Sequence, residues 1–115
     1  MRYMLLIYAS EADFLHMTSE ERAAIMQGHS TFAQEAMQRG ILVGGAPLQP
    51  TGTARTVRIH KGKTLVIDGP FAETKEQLAG TYILDCKNLD EAIELATKIP
   101  DALYGSIEIR PLMGV

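Results

Sequence analysis

Gly80-Thr81-Tyr82-Ile83-Leu84-Asp85-Cys86 leads through Lys87 into Asn88-Leu89-Asp90-Glu91-Ala92-Ile93-Glu94-Leu95-Ala96-Thr97-Lys98-Ile99-Pro100, and Ser106-Ile107-Glu108-Ile109-Arg110 closes the series. The first run alternates, with Tyr82, Leu84 and Cys86 on one face and Thr81, Ile83 and Asp85 on the other. A period of two is a strand. Asn88 and Glu91 then stand in capping-box spacing and open a helix. Leu89, Ala92, Ile93, Ala96 and Ile99 form its apolar stripe, and Pro100, which cannot continue a helix, stops it. Ile107 and Ile109 alternate against Ser106, Glu108 and Arg110 as a last strand. The stretch is one strand–helix–strand unit.

The first half of the chain repeats the pattern. Arg2 to Ala9 reads as a strand with both faces apolar, Tyr3, Leu5 and Ile7 against Met4, Leu6 and Tyr8. Such a strand is covered on both sides. Ser10 to Met17 reads as a surface connector carrying Phe14 and Leu15. Thr18-Ser19-Glu20-Glu21 is a second capping box, and the helix it opens runs to Arg39 and ends at Gly40. Ile25, His29, Phe32 and Ala36 share its inner stripe. Gly28 has no helical use and is expected to admit a close neighbour. Ile41 to Gly45 is a second buried strand, and Ala46 to Thr53 a loop.

Arg55 to Asp68 reads as a hairpin turning at Lys61-Gly62. In simple register Thr64, Val66 and Asp68 share a face with Val57 and Ile59. Asp68 then lies at the edge of an apolar surface, where a carboxylate needs a partner.

The order is β-α-β, hairpin, β-α-β over a single domain, residues 1–115. That order predicts an α+β, ferredoxin-like antiparallel sheet with both helices on one face. The other face is left bare although several strands are apolar on both sides. A bare apolar sheet normally marks an interface. The expected assembly is a homodimer packing sheet against sheet, in the manner of dimeric α+β barrels.

Composition narrows the function. The chain is 46% apolar and 22% charged, ordinary for a globular protein. Its net charge of −3, with no dense Lys/Arg patch, argues against a nucleic-acid partner. The apolar start, Met1 to Ala9, is shorter than the roughly 20 residues a membrane helix needs and lacks a signal peptide's cleavage pattern. One cysteine permits no intrachain disulfide. No membrane association and a cytoplasmic location are expected. His16, His29 and His60 have no zinc-site spacing, and Gly44-Gly45 is not followed by a helix as a dinucleotide motif requires. Neither metal nor cofactor is expected.

Asp68-Gly69-Pro70-Phe71-Ala72-Glu73-Thr74-Lys75-Glu76, continued by Gln77-Leu78-Ala79-Gly80, resembles the DGPF-type branch of the YCII-related proteins. Met4-Leu5-Leu6-Ile7-Tyr8, Gly44-Gly45-Ala46-Pro47-Leu48, Leu89-Asp90-Glu91-Ala92 and Glu108-Ile109-Arg110-Pro111 are similar too. The resemblance implies a dimeric ferredoxin-like fold related to muconolactone-isomerase-like proteins. For the broader family it implies a His–Asp pair as active site, with the histidine on the first helix, where His29 stands. The family's aspartate precedes a proline after the second helix. Ile99 holds that position here, and Asp101 falls two residues later. Asp68, at the corner between hairpin and loop, is therefore the substitute partner, with Asp101 the other choice. Members of this branch are often encoded beside extracytoplasmic-type sigma factors. That implies a second reading, a non-catalytic ligand-binding or accessory module.

The expected chemistry is proton transfer or lactone-type chemistry on a small molecule. His29 is the acid–base group, since an imidazole ordinarily titrates near neutral pH. Asp68 either orients it or closes a turn on nearby amides. Gly69, Phe71, Lys75, Glu76 and Tyr82 are the expected ligand contacts. Phe71 serves as anchor or stacking platform, and Lys75 and Glu76 as an anion clamp, a pair across the dimer, or plain surface charge.

Overall fold

The computed structural model describes residues 1–114. Its elements are β1 (Arg2–Ala9), α1 (Glu11–Leu15), α2 (Ser19–Gln38), β2 (Leu42–Pro47), β3 (Arg55–His60), β4 (Lys63–Asp68), β5 (Gln77–Asp85), α3 (Leu89–Ala96), α4 (Asp101–Tyr104) and β6 (Ser106–Pro111). Four strands form one sheet in the order β2-β5-β1-β6, every neighbouring pair antiparallel. This is the strand order of a ferredoxin-like α+β fold. Two split β-α-β units interleave, so each helix returns the chain past an intervening strand.

The core lies between the sheet and the helices. Tyr3, Leu5 and Ile7 of β1 and Leu84 of β5 meet Phe32 and Ala36 of α2 and Ala92, Leu95 and Ala96 of α3, all buried. Burying a large side chain of this kind is worth about 1.5–3 kcal/mol, so the alternation of β1 settles which face the helices cover. Both expected helix starts are built. Thr18 accepts from the Glu21 amide while Glu21 reaches back to the Thr18 amide, each at 3.0 Å. The Asn88 side chain accepts from the Glu91 amide at 3.0 Å. Gly40, at φ +70, ends α2 in the left-handed conformation that glycine tolerates.

Arg39 and Lys98 clamp α2 to α3 from outside. Arg39 contacts Glu35, Glu91 and Glu94, and Lys98 contacts Glu35 and Glu94.

Several boundaries depart from the sequence reading. The hairpin does not join the main sheet: β3 and β4 form a separate two-stranded sheet. Its register is the simple one, with Val57 opposite Val66, Ile59 opposite Thr64 and Arg55 opposite Asp68. Val57, Ile59 and Val66 are left exposed. The arm stretches the molecule to a radius of gyration of 16.0 Å, against about 13 Å for a compact chain of this length. β2 continues through Pro47, at the sheet's edge, where the missing amide costs no ladder bond. β5 begins at Gln77, because Leu78 and Gln77 pair with Tyr8 and Ala9 beyond a bulge. The connector after β1 contains α1, whose N-cap is the Ser10 hydroxyl.

The helix expected to run up to Pro100 ends at Ala96, and Pro100 starts α4 instead. Proline fits a helix start because the first amides need no partner there. Leu89 and Ile93, assigned to the core stripe, are exposed, and Leu95 takes their place. No helix among the described residues is long and apolar enough to cross a membrane.

Candidate functional site

His29 sits on α2 at the border of the core stripe, one turn before Phe32. Beside it, Gly28 leaves α2 without a side chain, and Pro100 fills the gap. A Cβ on Gly28 would come within 2.3 Å of the Pro100 Cγ. This close approach brings the start of α4 against the middle of α2. Asp101, the residue after the proline, thereby reaches the imidazole. Its Oδ1 lies 2.5 Å from His29 Nε2, and the residue is only 9% exposed.

The other ring nitrogen, Nδ1, lies 2.8 Å from the Tyr82 hydroxyl. Tyr82 comes from the core face of β5, its ring 4.8 Å from that of Phe32 and 5.9 Å from the imidazole. Burial raises the Tyr82 phenol above its ordinary range, and the Asp101 carboxylate adds to the shift. The phenol is therefore protonated at neutral pH and able to donate. A carboxylate only accepts, so Nε2 carries its proton toward Asp101. In the neutral ring Nδ1 then accepts from Tyr82. The three side chains form one hydrogen-bonded line, Asp101 to His29 to Tyr82.

This line forms part of the wall of a cavity of about 300 Å³. Its other walls are Ile7, Met26, Ala46, Pro47, Ala79 and Thr81 together with backbone of Gly45 and Gly80. Gly45, at φ +148, lets β2 close on β5; a Cβ there would stand 2.4 Å from the Thr81 carbonyl oxygen.

The other residues expected at the site lie elsewhere. Asp68 does not partner His29. It ends β4 and pairs across the hairpin with Arg55 Nε at 3.0 Å, its side chain 87% exposed. At that exposure the carboxylate is solvated, so the expected need for a partner does not arise, and the contact with Arg55 is a surface cross-strand pair. The Gly69 amide donates to the Ala54 carbonyl, and its own carbonyl accepts from Thr56, which closes the hairpin base. Phe71 is 77% exposed, with the Arg58 guanidinium 5.3 Å from its ring centre. It lines a second, separate hollow of about 560 Å³ with Tyr8, Leu48, Pro70 and Gln77. Glu76 accepts from the Ser106 hydroxyl at 2.9 Å, and Lys75 is exposed. Of the five expected ligand contacts only Tyr82 joins the His29 cavity.

Asp101 was the alternative partner in the sequence. Its place directly after a proline is visible in the sequence, but that the proline faces a helical glycine is visible only in the fold. No group of three His, Cys, Asp or Glu side chains among the described residues is arranged to hold a metal.

Two comparisons bear on this arrangement. The family model for the YCII-related domain matches residues 1–115. An uncharacterised protein of Rhizobium meliloti (strain 1021) is 42% identical over 114 residues, covering 97% of this chain and 92% of that protein.

Proposed function

Since the chain belongs to the YCII-related family, we propose that it acts on a small molecule by proton transfer. His29 is the acid–base group, Asp101 holds its ring, and Tyr82 is the hydroxyl that meets the developing charge. One observation carries this reading: both ring nitrogens of His29 are engaged, by Asp101 at 2.5 Å and Tyr82 at 2.8 Å, at the wall of an apolar cavity.

The chemistry follows from the order of the three groups. A substrate C–H beside a carbonyl gives its proton to Nδ1 as the Tyr82 hydroxyl swings to the carbonyl oxygen. The ring becomes an imidazolium, whose charge Asp101 balances across Nε2. The enolate oxygen is held by the phenol, and the proton returns to a different carbon. No net charge is added to the cavity in any step, which suits its apolar walls. Positioned acid–base groups of this kind contribute typically 10²–10⁴-fold in rate.

A β,γ-unsaturated butenolide is a direct probe, because its conversion to the conjugated isomer is one such proton shift. The parent protein is expected to accelerate it, and His29→Gln to abolish the acceleration with the fold retained. A His29→Gln variant as active as the parent removes this reading.

Self-association belongs to the same proposal. Met4, Leu6 and Ile83 alternate with core residues and so face away from both helices, and the hairpin exposes Val57, Ile59 and Val66. A second copy closing on this side would cover them. Light scattering at micromolar concentration is expected to give twice the chain mass; a monomer would refute the pairing.

A further inference from the structure

We infer that the ligand of the His29 cavity is uncharged: a compact, apolar molecule with neutral polar atoms, carboxylates and phosphates being turned away. The inference rests on the proposed reading only in taking the His29, Asp101 and Tyr82 line as the part of the wall the ligand's polar atoms meet.

Charge at the site decides this. Asp101 is buried beside the cavity, and its one charged or chargeable partner among the described residues is His29. With the imidazole neutral, the pair presents one negative charge. With the imidazole protonated, the pair is neutral and the new charge is already committed to Asp101. In neither state does the cavity offer a net positive charge to an anion.

The surroundings do not supply one. Ile7, Met26, Ala46, Pro47 and Ala79 are apolar, and among the described residues no lysine or arginine lines the cavity. Arg39 and Lys98 are held by Glu35, Glu91 and Glu94. Arg22, on α2, donates to the carbonyls of Phe14 and Leu15. An anionic ligand would lose its water against a like charge and gain no cation in exchange. A neutral ligand meets mostly apolar walls, with Tyr82, the His29 ring and Thr81 as uncharged polar groups. The volume, about 300 Å³, is at the lower end for ligand pockets, about 300–1,000 Å³, and sets the compact size.

A matched pair of probes tests this: a δ-lactone with a short alkyl side chain, and the hydroxycarboxylate obtained by opening that ring. Binding is read by calorimetry and by the His29 and Tyr82 side-chain NMR signals at neutral pH. The lactone is expected to bind saturably and at least about tenfold more tightly than the hydroxycarboxylate, as a like charge a few ångströms away in a partly dry site requires. In Asp101→Asn the hydroxycarboxylate should gain about tenfold relative to the lactone. Equal or tighter binding of the hydroxycarboxylate to the parent overturns the inference. So does failure of both probes to bind, or the absence of any gain in a folded Asp101→Asn. The parent comparison stands alone if that variant does not fold. Charge-selective binding without catalysed proton shift keeps this inference and removes the catalytic reading; catalysis without charge preference does the reverse.

Discussion

Gly28 and Pro100 touch at a spacing that leaves no room for a side chain on the helix: a methyl group at position 28 would lie 2.3 Å from the proline ring. Because Asp101 follows Pro100 and His29 follows Gly28, this one contact sets the spacing of the acid–base pair. Gly28→Ala should raise local helix propensity yet destabilise the protein by about 1–3 kcal/mol, the usual cost of overpacking a rigid site. Catalysis should fall further than stability explains, because α4 must move and take Asp101 with it. Denaturant titration together with the butenolide assay checks both; a Gly28→Ala variant as stable and active as the parent contradicts the contact.

Asp101 and Asp68 make opposite predictions. Asp101→Asn keeps an oxygen for Nε2 but no longer balances an imidazolium, and should lower turnover roughly 10²–10⁴-fold. Asp68→Asn touches only an exposed cross-strand pair with Arg55. It should leave turnover unchanged and stability within about 0.5 kcal/mol. If Asp68→Asn is the damaging change, the site has been placed at the wrong end of the molecule.

Much of this was legible in the chain, and what was not has identifiable causes. Alternation in β1 and β5 and the boxes at Thr18 and Asn88 are local signals, and local signals survive folding. They gave the ferredoxin-like order and put His29 on the inner border of α2. The partner of His29 was not local: 72 residues separate it from Asp101, and spacing carries no information over that distance. The loop after Asp68 drew attention because it concentrates turn formers and charges. Of those residues Gly69 closes the hairpin base, Pro70 and Phe71 line the second hollow, Glu76 accepts from Ser106 and Lys75 is exposed. Pro100 misled differently, since a proline reads as a stop although it also starts a helix. The apolar face read on the hairpin is there in sequence, but nothing among the described residues covers it, and Val57, Ile59 and Val66 are exposed.

Tyr82 should reveal itself at alkaline pH. Its phenol is raised above the ordinary value of about 10, by burial first and by Asp101 second. The folded state therefore keeps its proton at pH values where the unfolded chain has released it. Stability is unaffected below about pH 10 and falls as pH rises toward the folded value. Tyr82→Phe removes this slope and also the hydrogen bond to Nδ1, at about 0.5–1.5 kcal/mol near neutrality. Chemical denaturation of both proteins across pH 8 to 11 should show the gap between them narrowing above about pH 10. A gap that stays constant would mean the phenol titrates alike in both states.

Cys86 offers a check on the core itself. It is 2% exposed on the helix-covered side of the sheet, and burial pushes its thiol above the usual range, with Glu91 and Asp85 adding to the effect. Only the thiolate is nucleophilic, so the native protein should resist alkylation. At pH 8 iodoacetamide should modify the unfolded chain within minutes while the folded protein reacts only at the rate at which it opens. The sheet, α2 and α3 close over this residue together, so the protection factor should follow global stability when denaturant is added. Gly28→Ala should then lower it in proportion to its own stability loss. Asp68→Asn should leave it untouched. Rapid native labelling that ignores both substitutions would show that the helices do not cover the sheet as described.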